Sequence, residues 1–406
     1  MENLPPIIHS LLDNDFYKFT MQNAVTKLFP TARVRYRFVN RGGHHFPPGF
    51  DRALRHQLDM MASLALQPEE KAYFARKCSY LDPVYLDFLS GYRYDPSEVS
   101  IHQEGGDLSV EIEGFWYRTI LWEVPLMAVI SELYYILTGL QRVDDQQVCE
   151  ITRQKMEAYK ALDIKIAEFG TRRRHSYRVQ ELVVEALQKY GGRNYIGTSN
   201  VRLAMDYNVI PIGTHAHEWF MFHAAHFGYK MANRMGLDNW VNVYHGDLGI
   251  ALTDTFTVDV FLRSFDKKFA KLFDGVRHDS GDPLVFIDKI TSHYRKMNID
   301  PTSKTIIFSD TLNPQTVKRI AEYCRGKIGM SFGIGTNFTN DVGLEALNMV
   351  VKMSAAFTEN GKWTPTVKLS DSEGKYTGDP EAIRLALDIL GSVLGEMDPS
   401  KTEEQA

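Results

Sequence analysis

Apolar and basic residues alternate from Arg33 to Val39, and apolar and polar residues alternate from Leu108 to Glu113, the period of half-buried strands. These two segments predict an antiparallel pair. Ile120 to Thr138 is long, apolar and helix-like despite Pro125, and Gln146 to Lys160 reads as a more polar helix. From about residue 163 the pattern changes to short apolar runs, each followed by an amphipathic stretch. The runs are Ile164 to Gly170, Tyr195 to Thr198, Val209 to Thr214, Gly249 to Asp254, Leu272 to Arg277, Thr305 to Asp310 and Met330 to Thr336. A stretch of Glu218 to Met235 reads as one helix. Asp282-Pro283, Asn313-Pro314 and Asp379-Pro380 each set a capping side chain before a proline, which suits a first helical turn, the last of them before a helix over Glu381 to Val393.

Repeated βα units imply a parallel sheet, and about seven of them in one block favour a closed or nearly closed barrel over an open doubly wound sheet. The expected fold is α/β: an irregular (β/α) barrel over residues 136–344, with a smaller α+β domain built from 1–135 plus 345–406. Composition leaves that picture intact, since 406 residues with 44% hydrophobic and 24% charged content are ordinary for globular chains. Lys and Arg number 46 against 51 Asp and Glu, a net charge of −5, so there is no global positive field for nucleic acid. Any anion needs a local basic pocket. Cys78, Cys149 and Cys324 are far apart and form no CxxC, which indicates neither a disulfide framework nor a cysteine zinc site. The first residues lack a signal-peptide pattern, and no uncharged apolar run approaches the ~20 residues of a membrane span. A cytoplasmic protein with no membrane partner is expected, with a loose polar tail from Asp398 to Ala406.

In such barrels the residues after each strand gather on one rim. That rim would hold Phe169 to Arg173, Thr198 to Asn200, Thr214 to Glu218, Asp254, Arg277 to Asp282, Ser309, Asp310, Gly333 and Gly335 to Asn337. Glycines at 333 and 335 allow close backbone approach, and with Thr336 they can surround a phosphate or simply make a tight turn. Arg172, Arg173 and Arg277 suit phosphates or carboxylates, although Arg172 to Arg174 also fits a solvated helix start. Asp282 is expected to be consumed as a helix cap. Asp279 with Asp310 could hold sugar hydroxyls, bind Mg²⁺ on phosphates, or serve the structure. Asp13 or Asp15 would cap a helix with Tyr17 in its first turn.

His215-Ala-His217-Glu218 admits two sharp readings. Either both imidazoles bind a metal, as in amidohydrolase-type barrels, or one is a nucleophile toward phosphorus with Glu218 or another carboxylate holding its tautomer. The metal reading wants the doublet after the first strand and further rim histidines. Here it follows about the third run, His245 precedes a strand, and His223 and His226 fall inside a helix.

Taken together, the chain resembles the nicotinate phosphoribosyltransferase family over nearly its whole length. The resemblance rests on Leu12 to Lys18, Leu121 to Leu126, Glu168 to Arg173, Gly197 to Asn200, Gly213 to Trp219, Gly249 to Asp254, Arg277 to Asp282, Phe308 to Asp310, Ser331 to Thr336 and Val367 to Ser370. It implies an ATP-coupled enzyme of NAD biosynthesis, a ligase by that coupling and a phosphoprotein by its histidine. Nicotinate and phosphoribosyl pyrophosphate would give nicotinate mononucleotide and pyrophosphate, with Mg²⁺ as cofactor and ATP as co-substrate, in a homodimer with shared active sites.

The same resemblance implies residue roles. His217 would be phosphorylated with Glu218 beside it, and His215 falls on a variable position. Thr214 and Arg277 would contact nicotinate, Arg277 through its carboxylate, and Phe169 and the other subunit's Tyr17 would sandwich the ring. Gly333, Gly335 and Thr336 would hold the 5-phosphate, Asp279 and Asp310 the ribose or Mg²⁺, and Arg172 phosphate or nicotinate, while Thr198, Ser199 and Ser280 complete the substrate-binding set. A metal-dependent amidohydrolase using His215 and His217, or a phosphoribosyl-ligand sensor without turnover, are the alternatives.

Overall fold

The strands are β1 (Arg33–Asn40), β2 (Val99–Glu104), β3 (Asp107–Phe115), β4 (Lys165–Glu168), β5 (Tyr195–Thr198), β6 (His245–Leu248), β7 (Ile250–Leu252), β8 (Gly275–His278), β9 (Thr305–Phe308), β10 (Gly329–Ile334), β11 (Met349–Phe357) and β12 (Trp363–Pro365). They come from a computed structural model that describes residues 4–358, 361–372 and 375–394. The expected polar tail from Asp398 lies outside the described residues. The chain divides into two compact units, one made of the chain up to Gly213 with Thr311–Val317 and Phe332–Lys352, the other of Thr214–Asp310, Lys318–Ser331 and the chain from Met353.

In the first unit the alternating segments pair as expected. β1 lies antiparallel to β3 with Arg33 opposite Phe115 and Arg37 opposite Glu111. Val34, Tyr36 and Phe38 face the core, while Arg35 meets Glu113 at 2.6 Å and Arg37 meets Glu111 at 2.9 Å on the open face. Such exposed pairs fix register more than they stabilise. Beyond β3 lies β2, and the start of β11 lies beside β1.

The apolar run becomes the helix Glu123–Thr138, ended by Gly139 in the left-handed conformation at φ 67°. Trp116 to Thr138, which carries Arg118, Glu123 and Glu132, is long and apolar enough on average to cross a membrane, but 78% of its apolar window is buried inside the fold, as in a core helix. Asp145–Ala161 packs against Tyr177–Gly191, each capped by the residue before it: Asp144 accepts from the Gln147 amide and Ser176 from the Val179 amide. β4 runs parallel to β5, and the Phe169 amide donates to Ile334 O at 2.8 Å at the end of β10.

The run Val209 to Thr214 corrects the strand reading. It makes only one parallel bridge, between Thr198 and Pro211. Ile210 is 62% exposed, and Pro211 has no amide hydrogen with which to extend a ladder.

In the second unit β7, β8 and β9 form parallel pairs, with Ile250 opposite Gly275 and Val276 opposite Ile306, and the first residues of β10 follow beside β9. Gly275 is required, because a Cβ there would stand 1.9 Å from Thr305 O. The single helix expected over Glu218 to Met235 is two, His217–Phe227 and Tyr229–Tyr244, broken at Gly228 with φ 84° and ψ 156°, a backbone suited to glycine. The proline-started helices form: Asp282 accepts from the amides of Leu284 and Val285 ahead of Pro283–Lys296, and Asp379 from Glu381 and Ala382 ahead of Pro380–Leu394.

Candidate active site

In the second unit the loops after β7, β8 and β9 carry the chemistry. Asp254 follows β7, Arg277 lies within β8 one residue from its end, Asp279 and Ser280 come just after it, and Ser309 and Asp310 follow β9. His217 opens its helix with 10% of its side chain exposed. Its Nε2 lies 2.9 Å from Asp254 Oδ1 and 3.6 Å from Asp279 Oδ2. The other Asp254 oxygen accepts from Ser280 Oγ at 2.7 Å and meets Lys368 Nζ at 3.2 Å. Asp279 Oδ1 accepts from Ser309 Oγ at 2.6 Å, and its Oδ2 stands 3.8 Å from Arg277.

Burial first, then the Lys368 ammonium, pushes His217 down to about 4 against the opposing pull of Asp254, so the ring is neutral at pH 7. Burial alone would raise Asp254 and Asp279. For Asp254 the His217 and Lys368 partners outweigh it and hold the carboxyl well below the usual range; for Asp279, Arg277 and His217 do the same. An ionised Asp254 accepts the Nε2–H of a neutral His217, which leaves the ring's lone pair on Nδ1. The carboxylate fixing the tautomer is therefore Asp254; Glu218 is buried in the first turn but is not bonded to the His217 ring.

His215 is a different kind of residue. It is wholly buried, its Nε2 accepts the Leu252 amide at 3.2 Å, and its ring packs edge-on against Phe220 and Trp240. That nitrogen is spent on the strand, and among the described residues His215 joins no cluster of ligand atoms, which speaks against the His215 and His217 metal pair of the amidohydrolase reading. His217, Asp254 and Asp279 do offer three ligand atoms within 4.8 Å of one another. Lys368 and Ser280 already occupy the second oxygen of Asp254, which leaves Asp279 as the better donor to Mg²⁺ carried on a substrate. Arg277 donates to His215 O at 3.2 Å, and its buried Nε has no partner among the described residues, so a donor remains for an anion. The Thr214 hydroxyl donates to Ile250 O.

The first unit gathers the other candidates. Glu168, at the end of β4, accepts from the Thr198 hydroxyl, the Gly170 amide and the Gln180 side chain. Burial raises it to about 7 all the same. Ser199 donates to Asp15 at 2.7 Å, and its carbonyl accepts the Phe16 amide, which fixes the start of helix Phe16–Leu28 and the buried Tyr17. Asp15 occupies the cap position without a capping bond, and Asp13 is no cap either. Asp13 takes both terminal nitrogens of Arg174 at 2.6 and 2.8 Å, with neither side chain exposed by more than 1%.

The three arginines are only in part a solvated helix start: Thr171–Arg173 forms a short 3₁₀ turn with the Arg172 side chain 42% exposed, while the chain buries Arg174. Arg174 is buried in an ion pair, burial lowers Arg173 to about 10, and Arg172 reaches Glu123 at 3.4 Å. Glu123 also binds the buried Lys18 at 2.5 Å. A Cβ on Gly333 would stand 3.0 Å from the Phe169 ring, so this glycine lets the end of β10 pass under Phe169. Gly335 caps the four-residue turn Thr336–Thr339. Lys368, Lys18 and Glu123 were not assigned from sequence, and Asp13 was read there only as a cap, although each sits inside one of the motifs quoted above. Their signal was a charged residue in an otherwise apolar or capping context.

The chain matches the model of the nicotinate phosphoribosyltransferase (NAPRTase) family over residues 164–390 and that family's N-terminal domain over residues 12–131. It is 62% identical to nicotinate phosphoribosyltransferase of Chromohalobacter salexigens, covering 95% of this chain and 98% of that one, and 45% identical to that of Methanosarcina acetivorans, covering 95% and 98%. Among solved structures, nicotinate phosphoribosyltransferase from Porphyromonas gingivalis superposes with a TM-score of 0.93 at 48% identity, covering 95% of this chain and 100% of that one. The Vibrio cholerae enzyme gives 0.91 at 32%, covering 98% and 96%. The fold is thus the expected α/β class, and the chain belongs to the nicotinate phosphoribosyltransferase family of enzymes.

Proposed function

We propose that this chain joins nicotinate to phosphoribosyl pyrophosphate in cytoplasmic NAD salvage, coupled to ATP hydrolysis through phosphorylation of His217. The observation that carries the coupling is the neutral His217 ring, tied at Nε2 to Asp254 with Nδ1 left as the nucleophile. Nδ1 attacks the γ-phosphorus, an N–P bond forms, the bridging P–O bond breaks and ADP departs. Hydrolysis of the phosphohistidine then returns phosphate and the free ring. Asp254 and Asp279 keep the ring fixed throughout, so the reaction depends on positioning rather than on a proton relay.

In the transfer itself, pyrophosphate leaves the anomeric carbon as positive charge builds on the ribose, and the nicotinate ring nitrogen adds. Fixed charge does most of the work. Arg277 pairs the nicotinate carboxylate beside Thr214, and Phe169 with Tyr17 of the partner in a homodimer brackets the pyridine. Arg172 takes phosphate, and Gly333, Gly335 and Thr336 take the 5-phosphate; Asp279 and Asp310 are the residues that would hold Mg²⁺ through the substrate, and when bound there it would supply charge against the departing pyrophosphate. Thr198 and Ser199 support the site by holding Glu168 and Asp15.

Incubation with γ-labelled ATP tests the reading. Wild type acquires acid-labile label; His217→Asn acquires none, consumes no ATP in coupled turnover, and retains some ATP-independent transfer. Undiminished ATP consumption in that variant places the phosphoryl acceptor elsewhere. Arg277→Ala weakens nicotinate by about tenfold or more, the worth of a charge-assisted pair, and nicotinamide much less, as measured by KM. Equal effects on both ligands remove the ion pair.

A further inference from the structure

Lys368 is joined to the site by one contact, and that contact is on Asp254. Its ammonium lies 3.2 Å from Asp254 Oδ2, on the opposite side of the carboxylate from the His217 contact at Oδ1, and no other ion pair involves it among the described residues. The segment carrying it is pinned to the two loops that build the carboxylate's surroundings. The Leu369 amide donates to Thr255 O at 2.8 Å, the Asp371 amide to Ser280 Oγ at 3.1 Å, and the Gly281 amide to Ser372 Oγ at 3.1 Å. Ser280 in turn donates to the same Asp254 oxygen as Lys368. Oδ2 is thus held by two donors, and Oδ1 is left to a single one, His217.

A carboxylate so clamped cannot rotate to present both oxygens to the imidazole, nor slide toward Arg277. We propose that Lys368 is a positioning residue for phosphoryl transfer to His217, acting through Asp254. The clamp keeps the Nε2–H occupied and the Nδ1 lone pair aimed, and one positive charge in the chain offsets part of the charge that a phosphoryl group adds. This inference rests on the phosphohistidine reading above and assigns it a further residue.

The experiment compares wild type, Lys368→Met and Lys368→Arg in single-turnover labelling by γ-labelled ATP, in ATP-independent phosphoribosyl transfer and in thermal unfolding. Loss of one charge-assisted contact is worth about 10- to 100-fold, so Lys368→Met labels that much more slowly at saturating ATP, with ATP-independent transfer falling far less. Lys368→Arg, which can still reach Asp254, recovers most of the labelling rate. Labelling of Lys368→Met at the wild-type rate overturns the proposal. So does an equal loss of labelling and of ATP-independent transfer in both variants, which marks a general collapse of the site. Absence of label from wild type overturns the phosphohistidine reading itself, and this inference with it.

Discussion

His217 and His215 are two residues apart and look equivalent in the sequence, yet their rings do opposite things. One nitrogen of His215 is consumed by the Leu252 amide and its ring edge packs against Phe220 and Trp240, while His217 faces the carboxylates of Asp254 and Asp279. The motif therefore identified the loop but not the division of labour within it, since that depends on which strand backbone passes each ring. The sequence left the partner carboxylate open between Glu218 and another for the same reason. Glu218 is adjacent in sequence, but Asp254 arrives from 37 positions away. Burial and Lys368 keep His217 neutral down to about pH 4, instead of its ordinary 6.5. The rate of His217 labelling by ATP accordingly stays level between about pH 7.5 and pH 5.5, where an unperturbed imidazole would lose most of its nucleophile. A tenfold decline across that window, measured by quench-flow with saturating ATP, contradicts the assigned environment.

Among the elements, the legible ones were those whose burial follows their own period. β1 and β3 alternate, and the capped helices at Asp282 and Asp379 announce themselves by local chemistry that needs no partner. Val209 to Thr214 failed because Pro211, within the run, has no amide hydrogen with which to extend the ladder. Arg172 to Arg174 stayed open between anion binding and a solvated helix start, because three like charges in a row do not reveal which of them meets a distant carboxylate. Asp13 lies 161 positions before Arg174. That pair joins the loop after β4 to the segment leading into helix Phe16–Leu28, and Asn200 adds a third bond to Asp13 at 2.7 Å. Asp13→Ala leaves Arg174 buried without its counter-ion, and breaking such a pair costs about 3–5 kcal/mol. Urea unfolding of Asp13→Ala, Arg174→Leu and the double variant measures it. The double variant loses less than the sum of the single ones; strict additivity shows that the two side chains do not interact in solution.

Over the whole molecule, buried titratable groups of opposite sense set how stability varies with pH. Burial lowers His175 and His217 to about 4 and His223 to about 3, and holds His215 well below its usual value. Below pH 6.5 the unfolded chain binds protons that these folded rings refuse, so their contribution falls as the pH falls. Burial raises Glu132, Glu168 and Asp371 to about 7. These keep their protons in the folded state while the unfolded chain has released them near 4, so their contribution falls as the pH rises toward 7. Between about pH 4.5 and 6.5 the two sets oppose each other. Below that window the raised carboxylates are protonated in both states and fall silent, while Glu123, held near 2 against burial by Lys18 and Arg172, and the depressed Asp254 and Asp279 begin to lose their ion pairs. The histidine and ion-pair terms then share one sign. The urea midpoint is therefore nearly level from about pH 7 to pH 5 and collapses below about pH 4.5. A steady decline beginning at 6.5, followed by circular dichroism at constant ionic strength, means that the three carboxyls are not protonated in the folded enzyme.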